Sequence, residues 1–164
     1  MKTSGKKIHG YSIIEVIIYI GMLSVFITVL TGIFVSTIDA KLESESISDI
    51  EQDGRFIVAK LAYEINRAQN IETPALGITG NTLQITVDSL AESFALANGK
   101  LHITKSDNTY DLNGHGTAIS NLTFQRLGNI NGKNSIKMTF IITSTTQRVT
   151  GPETKTFQTT LAIR

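Results

Sequence analysis

From Val16 to Ile38 the chain runs 23 residues without a charge, and Glu15 stands just inside the mouth of that run. At 1.5 Å per residue a helix over this stretch extends about 35 Å, enough to cross a hydrocarbon core of roughly 30 Å. A carboxylate at such a boundary is expensive in lipid and needs a specific reason to be there. The run is much longer than the 7–15 apolar residues of an ordinary secretory signal. It therefore reads as a span that stays with the protein.

Charge on either side orients the span. Lys2, Lys6 and Lys7 precede it, while Asp39, Glu43, Glu45, Asp49, Glu51 and Asp53 follow with Lys41 alone against them. The lysine excess predicts a cytoplasmic N-terminus and a C-terminal domain outside. Without those three lysines, fifteen basic side chains become twelve against fourteen acidic ones, so the overall +1 becomes −2. A domain of that charge has no general attraction for nucleic acid, which argues against it as a partner. There is no cysteine, so disulfides and thiolate metal sites are excluded.

The junction Lys6-Lys7-Ile8-His9-Gly10-Tyr11-Ser12-Ile13-Ile14-Glu15 has a distinctive order: basic leader, glycine, aromatic residue, then Glu at the fifth place after the glycine. It resembles the class III leader of type IV pilins and pseudopilins. The resemblance implies that a prepilin peptidase cuts between Gly10 and Tyr11 and methylates the new amino group of Tyr11. It further implies assembly with other pilins or pseudopilins on an inner-membrane platform, into a cell-surface or periplasmic filament. The family's usual opening, Phe-Thr-Leu-Ile-Glu, differs mildly from Tyr11-Ser12-Ile13-Ile14-Glu15. Physical chemistry points the same way. A protonated amine freed at Tyr11 lies four residues from Glu15, and pairing a carboxylate with a cation offsets part of the penalty of low dielectric. If the cation belongs to a neighbouring subunit, the pair sets the register between packed helices; a Glu15 that snorkels unpaired to the interface is the plainer alternative.

Ser24, Thr28, Gly32 and Ser36 recur every fourth residue, on one face of the span, where small side chains let helix backbones approach closely. No proline occurs before Pro74, so the helix is expected to continue beyond the membrane to about residue 70. Ile47, Ile50, Gly54, Ile57, Leu61, Glu64, Ala68 and Ile71 follow steps of three and four, with Phe56, Ala59 and Tyr63 beside them. This is one packing face, interrupted by Glu64 and softened at Gly54. A coiled coil needs more sustained heptads than this stretch supplies.

After Pro74 the period changes to two. Thr82–Val87, Ser93–Ala97, Leu101–Thr104, Ile119–Arg126, Ser135–Thr143 and 156–163 read as strands, with Asn98-Gly99 as a type I′ hairpin turn. Gly and Asn cluster at 113–116 and 128–134 as connections. The fold class expected is α+β, a long N-terminal helix packed on a mainly antiparallel β head. Its divisions are leader 1–10, membrane and assembly helix 11–38, amphipathic continuation 39–71 and β-rich head 72–164. The stretch Lys60-Leu61-Ala62-Tyr63-Glu64-Ile65 with Arg67-Ala68, and the strand ending at Arg164, resemble W-type minor pilins and J-type secretion pseudopilins.

Nothing in the sequence has the spacing of a catalytic, cofactor or metal site. His9, His102 and His115 have no ligand partners at zinc spacing, and no serine sits in a nucleophile elbow. Asp107, Asp111 and Asn113 form one oxygen-rich stretch, without the alternation or closing Glu of a calcium loop. Asn121-Leu122-Thr123 matches a glycosylation acceptor, a pattern of little weight where the leader implies a prokaryote. The expectation is a filament subunit and not an enzyme, with no cofactor. A membrane-anchored outer binding module for DNA uptake or adhesion is the alternative, and a signal-anchored enzyme a weaker one.

Overall fold

The computed structural model describes residues 10–129 and 133–163. The chain divides into two compact units, Met1–Ala40 and Lys41–Arg164. One helix, α1 (Ile13–Arg67), supplies the described helical residues of both. In the first unit its apolar residues are open on every side: Ile13, Ile20, Met22, Phe26, Phe34 and Val35 are all more than half exposed. This is the one described helix long and apolar enough to cross a membrane. Gly21 and Gly32 lie within it without interrupting it.

In the second unit, the C-terminal part of α1 lies against two antiparallel sheets, an α+β arrangement. The strands are β1 (Asn70–Thr73), β2 (Thr79–Gly80), β3 (Thr82–Val87), β4 (Leu90–Ala97), β5 (Lys100–Lys105), β6 (Asn108–Asp111), β7 (Thr117–Leu127), β8 (Ser135–Ser144) and β9 (Thr154–Ala162). Sheet order is β1-β3-β4-β5-β6 in one and β2-β7-β8-β9 in the other. β3 to β6 form a meander whose three turns each need two residues at positive φ: Asp88-Ser89, Asn98-Gly99 and Ser106-Asp107. Type I′ turns match the twist of the flanking strands, and Asn, Asp and Gly tolerate that backbone best. Only the middle turn carries the Asn-Gly signature; the other two, and β6, are not evident in the sequence pattern.

The helix face that packs comprises Ser46, Ile50, Gly54, Ile57, Leu61, Glu64 and Ile65. Its first member is Ser46, one step of four before Ile50, whereas Ile47 is 46% exposed. The buried Ser46 hydroxyl donates to Leu42 O at 2.7 Å, so it enters the interior satisfied. α1 closes at Arg67, short of residue 70, and Ala68 and Ile71 reach the core from beyond its end, Ile71 from β1. The periodicity carried past the helix because Gln69 N already bonds Thr86 O and starts the sheet. Phe56 and Tyr63 face outward, 51% and 55% exposed.

Between helix and sheets lie Ile57, Leu61, Ile65, Leu83, Ile85, Phe94, Leu101, Phe124, Ile136, Met138 and Phe140, all at 0% exposure. Each such side chain contributes about 1.5–3 kcal/mol of transfer free energy. β7 bends where its register shifts between Ser120 and Thr123, with Asn121 at φ 52°. That bulge places Ile119 on the same buried face as Leu122 and Phe124, which strict alternation forbids.

Candidate functional site

The residues singled out for assembly all belong to the first unit. The leader from Met1 to His9 lies outside the described residues. Gly10 and Tyr11 precede α1, and Tyr11 is 77% exposed. Among the described residues a Cβ built on Gly10 meets nothing within 4 Å.

Ser12 stands at the N-cap position, where its carbonyl accepts from Val16 N at 3.2 Å. Glu15 is then the third helical residue. Ser-x-x-Glu is the sequence of a capping box, and a carboxylate in the first turn is favoured by the positive end of the helix dipole. Glu15 is half-exposed, and Tyr19 Oη donates to its Oε1 at 3.1 Å. The Ser12 spacing and the i+4 tyrosine are both readable in the sequence. They give Glu15 a local setting that the membrane argument alone had missed.

Ser24, Thr28, Gly32 and Ser36 lie on the open helix surface. Thr28 donates to Ser24 O at 2.9 Å, and Thr31 and Thr37 likewise bond the carbonyls of Ile27 and Ile33. Returning each hydroxyl to the helix satisfies it without water, as an apolar medium requires. Val29, Gly32, Ile33, Ser36 and Thr37 line a shallow open groove, and a Cβ at Gly32 meets nothing within 4 Å.

In the second unit the polar groups are engaged in holding α1 to the sheets. Glu64, fully buried, takes Lys60 at 2.7 Å and Lys105 at 2.6 Å; Lys105 also reaches Glu92, opposite it across β4 and β5, at 2.7 Å. Arg67 lies 3.6 Å from Glu64 and pairs with Asp88. Burial pushes the Glu64 carboxyl up, but the hydrogen bonds and charges of Lys105 and Lys60 prevail and hold it below the usual carboxylate range. Lys105, disfavoured by burial, is held above the ordinary lysine range by Glu64 and Glu92. Glu64 is thus not a break in the packing face but a charged link within it. Its partners come from distant strands, so helical spacing does not reveal them.

The oxygen-rich stretch does not converge on one point. Asp107 sits in the β5–β6 turn; Asp111 faces His102, 2.7 Å from its Nδ1. The buried Asn113 side chain accepts from Leu101 N at 3.0 Å and donates to Thr117 O at 2.9 Å. Next to it the 114–117 segment docks on α1: Asp53 accepts from Gly114 N at 2.9 Å and from Thr117 Oγ1. A Cβ on Gly116 would press against Asp49 Oδ2 at 2.9 Å. Among the described residues no three His, Cys, Asp or Glu side chains are placed to hold a metal.

Several cations of this unit are similarly committed. Lys100 binds the carbonyls of Asn113, Gly114 and Thr117, and Arg126 that of Ile71. Arg148 pairs with Glu43 and Glu153, and Lys155 with Glu51. No protein-family model matches the chain, and no curated protein or solved structure is significantly similar to it.

Proposed function

We propose that this chain is a minor pilin or pseudopilin, a subunit of a type IV pilus or type II secretion-like filament. The observation that carries the proposal is the order Lys6-Lys7-Ile8-His9-Gly10-Tyr11-Ser12-Ile13-Ile14-Glu15 leading into a helix whose apolar stretch, Val16 to Ile38, is exposed. Prepilin peptidase removes residues 1–10 and methylates Tyr11. The protein then rests as a single-pass subunit of the cytoplasmic membrane, its Lys41–Arg164 unit outside, until the assembly platform transfers its helix into the fibre. Glu15 meets the amine of a neighbouring subunit, and the face of Ser24, Thr28, Gly32 and Ser36 lets helices close on one another. Commitment of Lys100, Lys105, Arg126, Arg148 and Lys155 to internal partners weighs against the alternative of a DNA-binding module.

The test is the intact mass and N-terminal analysis of the protein extracted from membranes and from sheared filaments. A chain beginning at N-methyl-Tyr11 is expected; a retained Met1–Gly10 leader in assembled material contradicts the proposal. Gly10→Phe should keep the leader attached and the protein in the membrane. Among the described residues a Cβ at position 10 meets nothing within 4 Å, so the substitution is not expected to disturb the Lys41–Arg164 unit.

A further inference from the structure

The strand β9 carries an open hydrogen-bonding edge. Among the described strands it pairs only with β8, and Ser144 N donates to Glu153 O at 2.9 Å while Ile163 N donates to Asn134 O at 3.1 Å. In an antiparallel ladder the residues that exchange bonds alternate with those that turn their backbone the other way. These two bonds fix the phase: Lys155, Phe157, Thr159 and Leu161 bond β8. The N–H and C=O groups of Thr154, Thr156, Gln158, Thr160 and Ala162 therefore point outward, and none has a protein partner among the described residues.

Proteins usually blunt such edges with short strands, charges, proline or bulges. The other described edge strands are blunted. β2 has two residues; β1 has four, with a register break and Glu72; β6 has four, preceded by Asp107 and ended by Asp111. β9 has nine residues, no bulge and no proline, and its one charge, Lys155, is turned inward to Glu51. Its outward set is Thr, Thr, Gln, Thr, Ala, neutral throughout.

We propose that β9 pairs with β9 of a second copy, antiparallel and centred on Gln158, joining two four-stranded sheets into one. Among the described edges only another β9 is long enough to satisfy the outward groups, which excludes head-to-tail pairing with β1, β2 or β6. The centred register sets Gln158 against Gln158 of the partner, Thr156 against Thr160 and Thr154 against Ala162. Every outward group then meets an outward group, threonines face each other and no charges are opposed. A two-fold contact of this kind closes on itself and does not propagate. It is accordingly separate from filament growth through α1, and it stands whether or not the leader is processed.

The absence of cysteine makes the test direct. In the full chain in detergent micelles, Gln158→Cys should oxidise to a symmetric disulfide. Bonded pairs hold Cα atoms about 5.5 Å apart, inside the disulfide range. Thr123→Cys, exposed on the same sheet two strands from the edge, measures collision and any association through α1. Gln158→Cys should cross-link about tenfold faster than this control, because pairing raises the effective concentration of the thiols. Thr154→Cys mixed with Ala162→Cys should cross-link faster than either alone, and adding Gln158→Lys, which sets like charges opposite, should return the mixture to the control rate. Cross-linking of Gln158→Cys no faster than Thr123→Cys, no advantage of the mixture, or indifference to Gln158→Lys would each overturn the pairing.

Discussion

Gly54 shows how one residue can be misjudged by propensity. Glycine inside a helix is unfavourable by about 1 kcal/mol relative to alanine, so by sequence it marks a soft point. Here it is buried against the ring of Phe157, into which a Cβ would project, and Phe157 in turn stacks on Phe140 with centroids 5.3 Å apart. The missing side chain is what lets β9 close on the helix. Gly54→Ala should therefore destabilise the protein by about 1–3 kcal/mol through overpacking, against the sign that propensity gives. Thermal unfolding of the full chain in detergent reads the difference; a higher melting temperature for the variant would show that the ring has room to withdraw. Glu15 is the opposite case, since its first-turn position, Ser12 and Tyr19 are all local in sequence.

At the scale of elements, what is local was legible and what depends on distant partners was not. β3 occupies Thr82–Val87 as its alternation indicates, and the Asn98-Gly99 hairpin forms as its turn chemistry requires. The Asp88-Ser89 and Ser106-Asp107 turns lack glycine and so carry no comparable signature, and neither does the bulge at Asn121. The link between helix and meander was hidden for the same reason: Glu64 meets Lys105, forty-one residues away. That link has a pH signature. A carboxyl whose folded pKa is depressed contributes stability above its unfolded value, about 4.3 for Glu, and loses it as pH falls through the lower folded value. Glu64→Gln should thus be less stable than the native chain by about 3 kcal/mol at neutral pH, with the deficit shrinking on acidification. Denaturant titrations across the acid range measure it, and a deficit independent of pH would mean the charge of Glu64 is not what holds the elements together. Raised, Lys105 has the opposite sense: its contribution is complete below the ordinary lysine value and falls away only as pH rises beyond it.

At the scale of the molecule, the two units place opposite demands on one helix. From Lys41 onward α1 is committed to its own sheets by buried Ile50, Ile57, Leu61 and Ile65, by Gly54 and by Glu64. Through Ala40 it is apolar and exposed, long enough to cross a membrane. On the function proposed above, Glu15 moves the helix from lipid into the filament by pairing with a cation of a neighbouring subunit. The most direct measurement is fractionation of cells expressing the native chain or Glu15→Val into membrane and sheared-filament pools, with leader removal checked by mass. Removing one partner of a pair in low dielectric costs about 3–5 kcal/mol, or two to four orders of magnitude in an equilibrium. Glu15→Val should accumulate in the membrane, cleaved after Gly10 and folded from Lys41 onward, and be all but absent from filaments. Entry of the variant into filaments as efficiently as the native chain would contradict this role and leave Glu15 as a carboxylate that snorkels unpaired to the interface.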